Sequence, residues 1–113
     1  MSGVFDVDAI EQLIGDGRAR HLSNRQLAEQ LIALAEDPTW AKAISNPLRA
    51  QILGLLRREG SLSPSRAAEQ LDGDSLGAIA YHFRYLHKLA LIEVCDEIQR
   101  RGTVEHVYQL TRS

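Results

Sequence analysis

The side chains able to do chemistry are few, and most sit in the second half of the chain. Tyr81, Arg84, Tyr85 and Lys88 recur at spacings of three and four within SLGAIAYHFRYLHKL, residues 75–89. Such spacing places them on one side of a helix. Two phenols and two cations sharing a face suit a polar partner, above all a polyanion. Arg100 and Arg101 add a second basic point in the turn-like QRRGT. His82, His87 and His106 are possible metal ligands, but no helical pair of them has a carboxylate or thiolate at ligand spacing, so no metal is assigned. His82, beside the apolar Phe83, reads as a group bonded within the fold. The single cysteine, Cys95, allows no internal disulfide and no cysteine-based zinc site within one chain. Its acidic neighbours would raise a thiol pKa, so it reads as a small half-buried side chain rather than a redox switch. No arrangement of Ser, His and Asp and no glycine-rich phosphate loop is present, so no enzyme activity and no cofactor are expected.

A face of this kind needs an apolar floor. Ile79, Phe83 and Leu86 supply it on the opposite side of the same helix, and Ser75 opens the helix as an N-cap. Upstream, Ser63-Pro64 is a cap followed by proline, starting a helix SRAAEQL that runs to Leu71 with Ala67, Ala68 and Leu71 inward. The turn DGD joins the two helices, the second being longer, which is a helix-turn-helix signature. Before them, Asn46-Pro47 starts the helix LRAQILGLLRRE, with Leu48, Ile52, Leu55 and Leu56 on one face. Arg57 and Arg58 suit its last turn, and Gly60 terminates it. Ser61-Leu62 is long enough for one ladder pair.

After Leu89-Ala90 the period changes from helical to alternating. LIEVCDEI predicts a strand with Ile92, Val94 and Asp96 on one face and Glu93, Cys95 and Glu97 on the other. QRRGT is a polar turn, and VEHVYQL is a second strand with Val107 and Tyr108 both available to a half-buried sheet. Together they predict a β-hairpin. The N-terminal part begins with a short helix over residues 7–15, carrying Ile10, Leu13 and Ile14 and stopped by Gly15 and Gly17. A capping box, SNRQ from Ser23 to Gln26, starts a better helix. Leu27, Leu31 and Leu34 line it, and Ala28, Ile32 and Ala35 widen the stripe. Asp37-Pro38 ends it, and Trp40 follows in a short turn or helix, TWAKAI. So wide a stripe must pack on the remainder or on another copy.

The 113 residues are one domain's worth of chain, 44% apolar and only 5% aromatic, a balance that favours helices. The net charge of −2 argues against an indiscriminate nucleic-acid binder. It is unevenly spread: residues 1–37 hold three Arg against seven acids, whereas the remainder holds ten Lys or Arg against eight acids. No apolar run approaches a bilayer span, and the acidic MSGVFDVD is unlike a signal peptide. A cytoplasmic location without membrane association is therefore expected.

AISNPLRAQILGLL, LSPSRAAEQL, SLGAIAYHFRYLHKLALIEV and QRRGTVEHVYQL resemble the ArsR-type winged helix-turn-helix transcriptional regulators over residues 41–111. The likeness is strongest in NPLR (46–49), in 81–93 and in the RRG…VYQL wing. It implies sequence-specific binding of double-stranded DNA by a homodimer. By family position, residues 76, 77, 78, 80 and 81 face base edges; here they are Leu76, Gly77, Ala78, Ala80 and Tyr81, with only Tyr81 able to hydrogen-bond. The family's metal ligands do not carry over: SPSRAAEQL has no Cys-x-Cys pair and no helix follows the wing, so the likeness is to the metal-free branch.

The expected fold is mainly α with a small β-hairpin, a winged helix-turn-helix with an N-terminal helical extension. Residues 1–40 would form the extension and serve dimerisation, and 41–113 the DNA-binding domain. The recognition helix 75–89 would enter the major groove through Ser75, Leu76, Gly77, Ala78 and Tyr81, with Arg84, Tyr85 and Lys88 behind them. The wing, 98–104, would reach the backbone or minor groove through Arg100 and Arg101, with Arg66 a weaker phosphate candidate. Leu27, Leu31, Leu34 and Trp40 would form the dimer contact. The alternative expectation is a winged-helix protein-interaction module with weak or no DNA binding. The sequence names neither a target site nor an effector.

Overall fold

Helix starts follow the polar caps that the sequence carries. The computed structural model describes residues 12–17, 20–23, 25–27, 29–30, 38–71 and 73–111. These fall into two units, one ending at Gly54 and one beginning at Leu55.

In the first unit, residues 12–17 are helical, so Gly15 lies within the helix rather than stopping it, and Gly17 is its last described residue. Packing explains Gly17: a Cβ there would lie 2.7 Å from Leu27 Cδ1, so only glycine admits Leu27 at this distance. Leu27 is 2% exposed and Ile14 is buried. Residues 25–27 and 29–30 are helical behind the predicted capping box. The Gln26 N–H donates to Ser23 Oγ (3.1 Å) and the Ser23 N–H donates to Gln26 Oε1 (2.9 Å). Ile10, Ala28, Leu31, Ile32, Leu34 and Ala35 lie outside the described residues.

TWAKAI lies in a helix, α1 (Pro38–Ile44), with Ala43 and Ile44 buried and Trp40 half-buried. Its last carbonyls have no helical partners. Arg49 supplies them: Nε–H donates to Ala43 O (2.8 Å) and Nη2 to Lys42 O (3.2 Å). The helix α2 (Pro47–Glu59) starts at Asn46, whose Oδ1 accepts from the Leu48 N–H at 2.8 Å. Ile52, Leu55 and Leu56 are buried as expected. Leu48 is only half-buried, whereas Ala50 and Leu53 are fully buried, so the covered stripe is wider than one face.

The second unit begins in the last turns of α2, which closes at Gly60 with φ +87° and the Gly60 N–H on Leu56 O. Leu62 forms a reciprocal backbone pair with Tyr108, both N–H···O distances being 2.9 Å. The helix α3 (Pro64–Gln70) is capped by Ser63, and α4 (Leu76–Lys88) by Ser75, whose Oγ accepts from the Ala78 N–H at 3.1 Å. The two helices pack together, with Ala67, Ile79, Phe83 and Leu86 fully buried. α4 ends in a Schellman turn, Ala90 N–H to His87 O and Leu91 N–H to Leu86 O. Ala90 takes the left-handed position usually given to glycine, with φ +64°.

Two antiparallel strands follow, β1 (Ile92–Arg100) and β2 (Thr103–Leu110). They are longer than predicted, because Gln99 pairs with Val104 and Arg100 with Thr103. The turn is reduced to Arg101 and Gly102, with Gly102 at φ +69°. The register also shifts: Val94 opposes Tyr108 and Asp96 opposes Val107, leaving Cys95 as a bulge. Since side chains alternate along a strand, the extra residue moves Asp96 to the face opposite Val94. The predicted Ile92–Val94–Asp96 face is therefore broken at the bulge. Phe83 and Tyr108, with ring centroids 5.4 Å apart, join α4 to the hairpin.

A candidate nucleic-acid interface

The inner face of α4 is sealed and its outer face is open. Leu76 is 52% exposed and Tyr81 54%. Ser75, Gly77, Arg84, His87 and Lys88 are exposed too, whereas Ala78, Ala80, His82 and Tyr85 are half-buried. Tyr81 and Tyr85 are stacked (6.5 Å between centroids), and His82 meets the Tyr81 ring edge-on at 5.2 Å. The helix thus presents a phenol pair flanked by cations over an otherwise small, apolar first turn. Gly77 has room for a side chain: beyond the helix's own backbone and the adjoining residues, a Cβ there would meet Ser75 Oγ at 4.0 Å among the described residues.

Between α4, the start of α3 and the hairpin runs an open groove. Leu76, Ala80 and Arg84 form one wall, Pro64, Ser65 and Glu69 a second, and Arg100, Thr103, Val104, Glu105, His106 and Tyr108 the third. Its charge is mixed. Arg66 pairs loosely with Glu69, at 3.9 Å on the surface. Glu97 and His106 pair across the strands at 3.3 Å.

The two arginines of the hairpin, equivalent in the sequence, differ here. Arg101 stands exposed in the turn. Arg100 lies in the ladder, on the same face as Glu105, and donates to Glu105 Oε1 through Nε (2.9 Å) and Nη2 (2.7 Å). The other carboxylate oxygen, Oε2, accepts from Ser65 Oγ. The hydroxyls of Ser65 and Ser63, with the Arg100 charge, hold the Glu105 carboxyl at about 2 against an ordinary 4.5, burial opposing them. Burial pushes the Tyr108 phenol up, with Arg84 opposing.

Glu105, Ser65 and Ser63 were not among the predicted site residues. The signal available was small: a cap with a second serine two residues on, and one acid in an alternating strand. On the dimer side, Leu27 is already buried within one chain, Trp40 is half-buried, and Leu31 and Leu34 lie outside the described residues. No described helix is long and apolar enough to cross a membrane. Among the described residues, no three His, Cys, Asp or Glu side chains cluster to hold a metal. Cys95 is exposed on the bulge, not half-buried.

Comparison with curated proteins gave no significant match. The family model for a helix-turn-helix domain matches residues 44–95, from the end of α1 through α2, α3 and α4 to the Cys95 bulge; this part of the chain is a helix-turn-helix domain.

Proposed function

We propose that the chain is a sequence-specific, double-stranded-DNA-binding transcriptional regulator of the ArsR type, without metal sensing or enzyme activity. It acts as a two-fold homodimer. The first turns of α4 enter the major groove, whose width admits a helix, and two copies read half-sites about 34 Å apart on a near-palindrome. The wing lies over the backbone or the adjacent minor groove. The observation carrying this reading is the open outer face of α4, with Tyr81 exposed beside Arg84 and Lys88. Leu76 and Ala80 supply apolar contacts of the kind that suit thymine methyls. The acidic N-terminal part joins the two copies, away from DNA.

If each protomer commits Arg84, Lys88 and Arg101 to phosphates, a dimer neutralises six. Affinity then falls roughly a thousandfold between about 50 and 200 mM salt. Titration of mixed-sequence and selected duplexes at both salt concentrations tests this. Duplex binding absent at either salt would favour the second reading, a winged-helix protein-interaction module. Leu76 and Val104, both exposed at the groove, are the observation on that side.

A further inference from the structure

The Arg100–Glu105–Ser65 cluster is a polar arrangement beside the proposed DNA face that ties both strands of the hairpin to α3. Both Glu105 oxygens are used, one by the Arg100 guanidinium and one by the Ser65 hydroxyl of α3. The Glu105 side chain is only 13% exposed, whereas that of Arg100 is 56% exposed. A carboxylate so engaged is a poor group to abandon: its desolvation is spent, and its hydrogen bonds are charge-assisted. The Arg100 charge is thereby cancelled at a distance of 2.7 Å. One residue further, Arg101 projects from a two-residue turn that carries no ladder pair.

We propose that Glu105 sets how much of the wing's charge DNA feels. Anchored on Ser65, it keeps Arg100 in a closed neutral pair, so Arg101 alone on the wing contacts phosphate. Glu105 is then a specificity-determining residue: by withholding one cation per protomer it limits sequence-independent grip on the backbone. This inference rests on the DNA-binding reading above.

The test is the salt dependence of duplex binding by the full chain, the slope of log K against log salt, for the wild type and three variants. One phosphate contact is worth about 0.9 in that slope per protomer. Arg101→Ala makes the slope shallower by about 1.8 for a dimer and weakens all sequences alike. Glu105→Gln frees Arg100, makes the slope steeper by about 1.8, and tightens unrelated duplexes more than the selected site. The decisive variant is Arg100→Ala with Glu105→Gln, which exchanges one neutral pair for another and keeps the wild-type slope. If that double variant instead loses about 1.8, as Arg101→Ala does, Arg100 is itself a phosphate ligand and the proposal fails. Thermal unfolding checks the anchor without DNA: Ser65→Ala and Glu105→Gln each lower Tm, and together lower it by less than their sum. Strict additivity would remove Ser65 from the device. A wild type that binds no duplex at any salt overturns the regulator reading and this proposal together, whereas salt-sensitive wild-type binding with a shallow double variant overturns this proposal alone.

Discussion

Glu105 makes the stability of the chain depend on pH in a defined direction. Its carboxyl protonates at about 2 in the folded state against an ordinary 4.5. As pH falls, the unfolded chain takes up this proton first, so folding loses support. The contribution is complete above 4.5 and drains away towards 2. Glu105→Gln, which keeps an acceptor for Ser65 but loses the charge, is expected to lower stability by about 1 kcal/mol at pH 7. Urea midpoints at pH 7 and pH 3 check this; a gap between wild type and variant that stays equal at both pH values would contradict the assignment. The caps at Ser23, Asn46, Ser63 and Ser75 were legible in the sequence because each bonds within three residues of itself. Glu105 was not. It meets a serine 40 positions away, and a pairing of that kind follows from strand register rather than local pattern.

At the scale of elements, α4 was read from its Ser75 cap and its period, since three apolar residues at helical spacing fix which side is buried. Its end was legible too, from the change of period after Leu89-Ala90, although Ala90 fills the left-handed site without the glycine or asparagine that usually marks a terminator. The hairpin was legible as two alternating strands, but its faces were not, because a single bulge residue at Cys95 reverses everything beyond it. That reversal puts Arg100 on the face where Glu105 meets Ser65, and so creates the neutral pair. Gly77 offers a test of the reading face. The helix gains from a side chain there, and the space is open. Gly77→Ala is therefore expected to stabilise the fold by about 0.5–1 kcal/mol. If the first turn of α4 lies against base edges, the added methyl also shifts affinity or sequence preference at one base pair. Raised Tm together with unaltered selection from random duplexes would place Gly77 outside the contact.

For the whole molecule, the uneven charge and the N-terminal leucines bear on assembly. The first 37 residues carry a net −4 and the remainder a net +2, so a dimer joined through the former keeps its acids from competing with phosphate for the basic groups of the latter. Leu27 cannot be the centre of that contact, because Gly17 already receives it within one chain. The burden falls on Leu31 and Leu34 with Trp40. In the sequence Leu31 follows Leu27 by four residues, the spacing that shares a face if the helix continues, and the proposed contact is a stripe begun inside the protomer and completed by its partner. Leu31→Glu places a charge where a copy would have to desolvate it beside its own equivalent, a penalty of several kcal/mol across a two-fold axis. Light scattering at micromolar concentration should then report one protomer's mass, with circular dichroism unchanged. Affinity for a palindromic duplex would drop to that of a single half-site, while the salt dependence per protomer would persist. A mass that stays doubled in a well-folded Leu31→Glu variant would move the interface elsewhere, and with it the expectation that an acidic extension joins the two copies.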